Sequence, residues 1–337
     1  MTHLRIAARS YIDSLINKRP NETKLGEQVN AIHNNENWEE ELIESAAKYV
    51  LLGIPEDIGV RANYGLGGTN TLWEPALKAI LNVQNTNALD GASILLLGDF
   101  DFRDLMQQSL KMDVMQLREL VAKIDEEVAP VIEKIVAARK IPIIIGGGHN
   151  NAYPLLQGLS MAKNGSVNCI NLDAHSDFRI MEGRHSGNGF HYAKQRGYLN
   201  RYTVIGLHQN YNAQNIIDQF VIDIDLLHFF YEDIFLHHKY SFDDCVKAAI
   251  THTSGRSTGI ELDLDCIEHT LSSAATPCGI TSLQARQYIT TCANSVDAAY
   301  LHIPEGAVHL RNGKEDTYTA KLVAYLVTDF IRANNVL

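Results

Sequence analysis

The sequence predicts an α/β protein built on a mainly parallel sheet with helices on both faces. Two observations predict it. Short runs rich in Val, Ile and Leu recur along the chain, and segments with helical period separate them. Strands buried on both faces read as continuous apolar runs, and a helix between consecutive strands marks a βαβ unit.

In chain order, residues 1–46 are expected as a helical extension packed on the outside, with the loop "NKRPNETKLGEQ" between its helices. The strand candidates then follow as "KYVLLGI", "SILLLGD", "IPIIIGG", "VNCINLD", "YTVIGL", "STGIELDLD" and "DAAYLHI". The clearest helical segment, "DVMQLRELVAKIDEEVAPVIEKIVAARK", is expected to bend or break near Pro130, because proline removes one intrahelical hydrogen bond and crowds the preceding turn. "TYTAKLVAYLVTDFIRANN" reads as a closing helix. With no long linker, repeat or low-complexity tract, residues 47–337 are expected as one domain.

Composition narrows the function. The chain of 337 residues is 45% hydrophobic, enough for a sizeable core. Its 29 basic and 40 acidic residues give a net charge of −11, and no basic run or aromatic-basic interleaving is present. Nucleic acid is therefore not an expected partner, and an anionic substrate needs locally placed arginines. Five scattered cysteines (Cys169, Cys245, Cys266, Cys278 and Cys292) contain no Cys-x-x-Cys pair. They are expected as reduced thiols, not as a disulfide framework or a thiolate zinc site. The N-terminal stretch lacks the apolar core of a secretion signal, and no run approaches the roughly 20 apolar residues of a membrane span. The expectation is a cytoplasmic protein without membrane contact.

Three strand ends carry the chemistry. "NLDAHSDFR" places Asp173, His175 and Asp177 at strict alternation, which in a strand would put all three on one face. Alone, that stretch reads equally well as a polar turn. "IPIIIGGGHN" ends on three glycines and His149, and "GIELDLDCIE" carries Asp263 and Asp265. In parallel α/β sheets, ligands bind beyond the carboxyl ends of strands, and all three clusters fall there. Four carboxylates can share a site only if cations or protons neutralise them. A set of aspartates and histidines without thiolate suits manganese better than structural zinc, and six ligands exceed one tetrahedral site. The glycines leave room for backbone near the metals.

"GGGHN", "DAHSD" and "ELDLDCIE" resemble, in order and spacing, the three metal-binding signatures of the ureohydrolases, the family of arginase, agmatinase and formiminoglutamase. "LLGIPEDIGVRANYGLGGT" is similar to that family's opening segment. The resemblance covers roughly residues 47 to 330 and implies a three-layer α/β/α fold, a multimer and two manganese ions per chain. It implies that one ion takes His149, Asp173, Asp177 and Asp263. The other takes His175, Asp173, Asp263 and Asp265, with Asp173 and Asp263 bridging. The implied substrate is a small amidine or guanidine, attacked by a metal-bridging hydroxide. Asp177 would pass a proton to the departing amine, and Glu305 would hold the amidinium nitrogens. The bland alternative for Glu305 is a surface glutamate. His191, one residue out of register from the arginase proton-shuttle histidine, joins the catalytic candidates.

Within the family, Arg179 stands where arginases carry an asparagine, and "HSGNGF" resembles formiminoglutamase. The acidic pair serving the arginase α-amino group is replaced by His208, Gln209 and Tyr211. A substrate with two carboxylates and no free α-amino group matches the gain of an arginine and the loss of acids. Arg179, Ser186 and Asn188 are therefore the substrate-binding candidates, while Arg184 and His185 fit either that role or a solvated loop. The chain departs from the family at Glu268-His269, at "SSAATPCG" and at His302, where an aspartate is usual. The expected reaction is N-formimino-L-glutamate plus water to L-glutamate and formamide, in histidine degradation. The alternatives are another guanidino or amidino hydrolase and a non-catalytic metal-binding member. A single-zinc deacetylase would leave Asp173, Asp263 and Asp265 as surplus charge.

Overall fold

The computed structural model describes residues 3–335. Its strands are β1 (Leu4–Ile6), β2 (Asn30–Ala31), β3 (Tyr49–Gly53), β4 (Ile94–Phe100), β5 (Ile141–Ile145), β6 (Val167–Leu172), β7 (Leu199–Leu207), β8 (Leu226–Phe230), β9 (Thr258–Leu262) and β10 (Ala298–Ile303). They form one ten-stranded sheet in the order β1-β4-β3-β5-β10-β9-β6-β7-β8, with β2 also on β4. β1 runs antiparallel to β4, and the other pairs are parallel. The seven strand candidates read from apolar runs fall on β3, β4, β5, β6, β7, β9 and β10.

Successive side chains alternate between two cores, as the pleat requires. On β3, Tyr49 and Leu51 join Trp73, Leu77, Val323 and Phe330 on one face of the sheet. Val50 and Leu52 join Val121, Ile124, Leu155 and Leu159 on the other. Helices Trp73–Leu81 and Tyr318–Asn334 therefore cover the first face, and Val114–Ala137 and Ala152–Lys163 the second. The architecture is three-layer α/β/α.

Two expectations need correction. The first 46 residues are not helices alone, because β1 and β2 join the sheet beside helices Arg9–Leu15 and Trp38–Glu44. Strands of three and two residues are too short to show a period. β1 is locked on by Arg5, whose Nε and Nη2 donate to Asp99 at 3.1 and 2.7 Å. Gly98 makes that approach possible: its φ is +136°, and a Cβ there would lie 1.9 Å from the Arg5 carbonyl oxygen. The second correction concerns Pro130, which sits inside an uninterrupted helix, Val114–Ala137. Glu126, whose carbonyl loses its partner, is exposed to water, and buried residues on both sides of Pro130 hold the helix together.

The chain passes from β5 to β6 across two strand positions that β10 and β9 later fill. The carboxyl ends of β5, β10, β9 and β6 thus lie side by side at the point where connections reverse.

Candidate metal centre

His149 follows β5 through Gly146 and Gly147, both with positive φ (85° and 77°). The glycines serve this turn, not clearance around the ligands. A Cβ on Gly147 would meet the Ile54 carbonyl oxygen at 2.6 Å and the Glu56 carboxylate at 3.1 Å. Glu56 is fully buried and accepts from the amides of Gly148 (2.9 Å), Ile58 (2.6 Å) and Gly59 (3.0 Å) and from Asn151 Nδ2 (3.0 Å). This carboxylate ties the loop after β3 to the turn carrying His149.

β6 ends at Leu172, so Asp173, His175 and Asp177 sit on a turn, not on a pleated strand. Their convergence comes from local backbone bonding. Asp173 Oδ1 accepts from the His175 amide at 2.7 Å, Oδ2 accepts from Asn171 Nδ2 at 2.9 Å, and Asp177 has φ +45°. Asp263 follows β9 directly, with Oδ1 accepting from the Asp265 amide at 2.8 Å. Glu305, beyond β10, has φ +65°. It accepts from the His149 amide at 2.9 Å and from Ser273 Oγ at 3.3 Å. Non-glycine residues in this region cluster where surrounding structure fixes them for function.

His149 Nδ1 lies 2.8 Å from Asp177 Oδ2, 3.0 Å from Asp263 Oδ2 and 3.2 Å from Asp173 Oδ2. It makes an aligned hydrogen bond with none of them. His175 Nδ1 stands 3.2 Å from Asp265 Oδ2 and 3.6 Å from Asp173 Oδ1, and Asp265 Oδ1 is buried without a partner. Two of the groups able to hold a cation are built from these residues. One is His149, Asp173, Asp177 and Asp263, and the other is Asp173, His175 and Asp265. Asp173 belongs to both. Asp263, expected in both, stands with the first group here, and its Oδ1 accepts from the Asp265 amide. Hard oxygen donors, imidazole and unpartnered buried atoms fit divalent cations.

The electrostatics agree. Burial, then the Asp173 charge, pushes the Asp177 carboxyl up to about 6. Burial, with Asp265 adding to it, lifts Glu305 to about 8. Burial also lifts Asp263, reinforced by Asp265 and Asp173. Burial opposes ionisation of Asp173 too, yet His149 and His175 outweigh it and hold that carboxyl well below its usual range. So much negative charge in one buried place calls for positive charge to balance it.

A cleft of about 220 Å³ opens over these groups, lined by Asp177, Asp263, Asp265 and Glu305 and also by Arg179 and Ser186. An adjoining cavity of about 310 Å³ is lined by His208, Tyr211 and Lys314. Arg179 is half exposed, its nearest acid Glu182 at 3.7 Å. Asn63, which the sequence reading passed over, lines the cleft beside Ser186 and donates to its Oγ at 3.4 Å.

Asn188 and His191 do not line this cleft. Asn188 accepts from Arg184 Nη1 at 2.7 Å and donates to the carbonyls of Gly183 (2.8 Å) and Ile180 (3.3 Å), which uses both ends of its amide within the loop. His191 stacks on Phe178 with centroids 4.6 Å apart, and its Nδ1 lies 2.8 Å from the Arg179 carbonyl oxygen. Both residues brace the backbone that carries Arg179.

Arg184 anchors the same loop. It is buried, donates to Asp125 Oδ2 at 2.8 Å and to the Asn150 carbonyl at 2.7 Å, and lies 4.6 and 5.0 Å from the Tyr153 and Tyr192 ring centroids. Arg184→Ala strands the Asp125 charge, and a broken buried pair costs about 3–5 kcal/mol. A clear fall in melting temperature is the expected result, and an unchanged one would refute the anchoring role.

The α/β/α fold thus sets paired His/Asp groups, able to ligate cations, at neighbouring strand ends. The arginase family model matches residues 47–331, and the chain belongs to that family. It is 31% identical over 176 residues to the formimidoylglutamase of Klebsiella pneumoniae, covering 50% of each chain. It is 27% identical over 163 residues to that of Corynebacterium efficiens, covering 47% of this chain and 45% of the relative. The chain thus spans half or less of the length of these curated relatives. The crystal structure of Trypanosoma cruzi formiminoglutamase with Mn2+ superposes with a TM-score of 0.72 at 18% identity, covering 94% of this chain and 99% of that one, a likeness of fold. Among the described residues no helix is long and apolar enough to cross a membrane.

Proposed function

We propose that this protein hydrolyses the C–N bond of a linear amidine, N-formimino-L-glutamate, releasing L-glutamate and formamide. The observation that carries the reading is the pairing, in one cleft, of the buried Glu305 with Arg179 beside the His/Asp groups. Glu305 faces the ligand set and suits a cationic amidinium. Arg179 suits a carboxylate, and His208 and Tyr211 offer no acid to an α-amino group. Formimidoylglutamases among the relatives support the same substrate.

His149, Asp173, Asp177 and Asp263 would hold one divalent cation, manganese by the chemistry of the donors. Asp173, His175 and Asp265 would hold the second. Such a pair supplies Lewis acidity and lowers the pKa of a water so that it serves as a nucleophile near neutral pH. The chain's own groups do the rest. Glu305 orients the amidinium, while Arg179 and Ser186 hold the far carboxylate. Asp177, which lines the cleft beside Glu305, carries a proton to the leaving amine.

The test is a substrate panel on manganese-loaded protein, compared as kcat/KM, the ratio that measures discrimination. Formiminoglutamate should exceed arginine and agmatine. If a guanidino substrate wins, the amidine assignment fails, and if nothing is turned over, the chain is a non-catalytic member.

One residue tests the carboxylate contact. A charged hydrogen bond is worth about 1.5–3 kcal/mol, so Arg179→Ala should lose roughly 10- to 150-fold in kcat/KM. The loss should come mainly through KM, with metal content unchanged. The contrary outcome is an unchanged KM with lower stability, which would assign Arg179 to bracing through Glu182.

A further inference from the structure

Behind the ligand groups lies a buried pair that the proposed reaction leaves without a role. Glu261 on β9 and His302 on β10 are both fully buried, on adjacent strands whose register puts them directly opposite each other. His302 Nδ1 lies 2.6 Å from Glu261 Oε2. Tyr300 OH donates to Glu261 Oε1 at 2.6 Å. The same Glu261 Oε2 stands 3.4 Å from His149 Nε2, which is buried and has no hydrogen-bond partner. The opposite ring nitrogen, Nδ1, is the one aimed at Asp173, Asp177 and Asp263.

We propose that Glu261, held in place by His302 and Tyr300, is the positioning residue for His149. It accepts the Nε2 proton and so keeps Nδ1 free to bind the cation. An imidazole binds metal through an unprotonated nitrogen, and an outer carboxylate on its other N–H fixes tautomer and ring angle and strengthens the donor. Glu261 is the group placed for this: it reaches the back of the ring from a neighbouring strand, and its other oxygen is already engaged by a tyrosine. The interior location demands such bracing, since an uncompensated buried carboxylate is costly. Tyr300 takes one oxygen of the carboxylate, and His302 and His149 share the other, Oε2.

His149, Glu261 and His302 could instead be read as ligands of a third ion. Glu261 argues against that, because His302 and Tyr300 already hydrogen-bond its two oxygens, whereas His149 Nδ1 makes no aligned hydrogen bond with its carboxylates.

The inference rests on the metal-centre reading, and its test separates the two. Wild type and Glu261→Gln, both full length and metal-free, are titrated with Mn2+ against a competing chelator, with electron paramagnetic resonance reporting each ion. Wild type should take up two ions, and failure to do so would overturn the metal centre itself. In Glu261→Gln the ion of the His149 group should bind roughly 10- to 100-fold more weakly, the usual cost of losing such a partner. The ion of the His175–Asp265 group should keep its affinity. A purely structural role would instead weaken both ions together and lower the melting temperature of the metal-free protein. Tyr300→Phe keeps shape and removes only the hydroxyl. It should weaken the same ion several-fold, so the inference stands or falls even if Glu261→Gln does not fold. Two ions at wild-type affinity in either folded variant, or a third ion in wild type that the variants lose, would overturn the proposal.

Discussion

Asp173→Asn is expected to abolish turnover and metal uptake together. Asp173 is the carboxylate both cation groups share, one oxygen facing His149 and the other His175. Asparagine keeps the shape and an acceptor for the His175 amide, which Asp173 Oδ1 serves at 2.7 Å. The variant should therefore fold. It lacks the charge that draws both cations. Lewis-acid stabilisation by such ions is worth several kcal/mol, so at 1.36 kcal/mol per decade the loss in kcat should be roughly 10³-fold or more. Removing a charge from a crowded carboxylate cluster should leave the metal-free protein close to wild type in melting temperature. Elemental analysis, kcat and melting on one preparation check all three, and retention of both ions with full activity would refute the shared role.

Glu305→Gln should be nearly as severe. The amide keeps the acceptor used by the His149 amide, so the turn survives, but the charge opposite a cationic substrate is gone. Removing a group aimed at charge in a buried site costs about 10²–10³-fold. The pH dependence gives a second readout. Burial lifts the Glu305 carboxyl to about 8 in the metal-free protein, so its ionised form is lost as pH falls. Bound cations move that midpoint lower, because positive charge favours the carboxylate. Amidine binding by wild type should weaken on the acid side of this midpoint, with KM rising as pH falls. Glu305→Gln should lose that limb and show a flat, high KM. A limb unchanged in the variant would assign it to another group.

The strand ends were legible because each is a buried Val/Ile/Leu run closed by ligand-type residues, a contrast visible in the sequence. β8, Leu226–Phe230, was missed, being a half-buried edge strand with aromatic content. β1 and β2 were missed for their length. The six ligand candidates came together because the sheet order brings β5, β6 and β9 close, and each ligand lies within a few residues of its strand. The loop residues fared differently. Nothing local told Ser186, which lines the cleft, from Asn188, which is consumed by its own loop. Sequence spacing did not place His191 either: its direction is set by stacking on Phe178. Glu56 gave no signal, since the partners through which it braces the His149 turn lie 92 and 95 residues away. Glu261 was given no role in the sequence reading. Its meaning depends on His149, just beyond β5, and on His302 of β10, both distant in sequence.

Stepwise addition of Mn2+ to metal-free protein, with formamide release from N-formimino-L-glutamate followed at each step, tests the central claim most directly. The two-cation reading predicts turnover that climbs to a plateau at about two ions per chain. Full turnover with one tightly held ion, zinc included, or none at any loading, would contradict it.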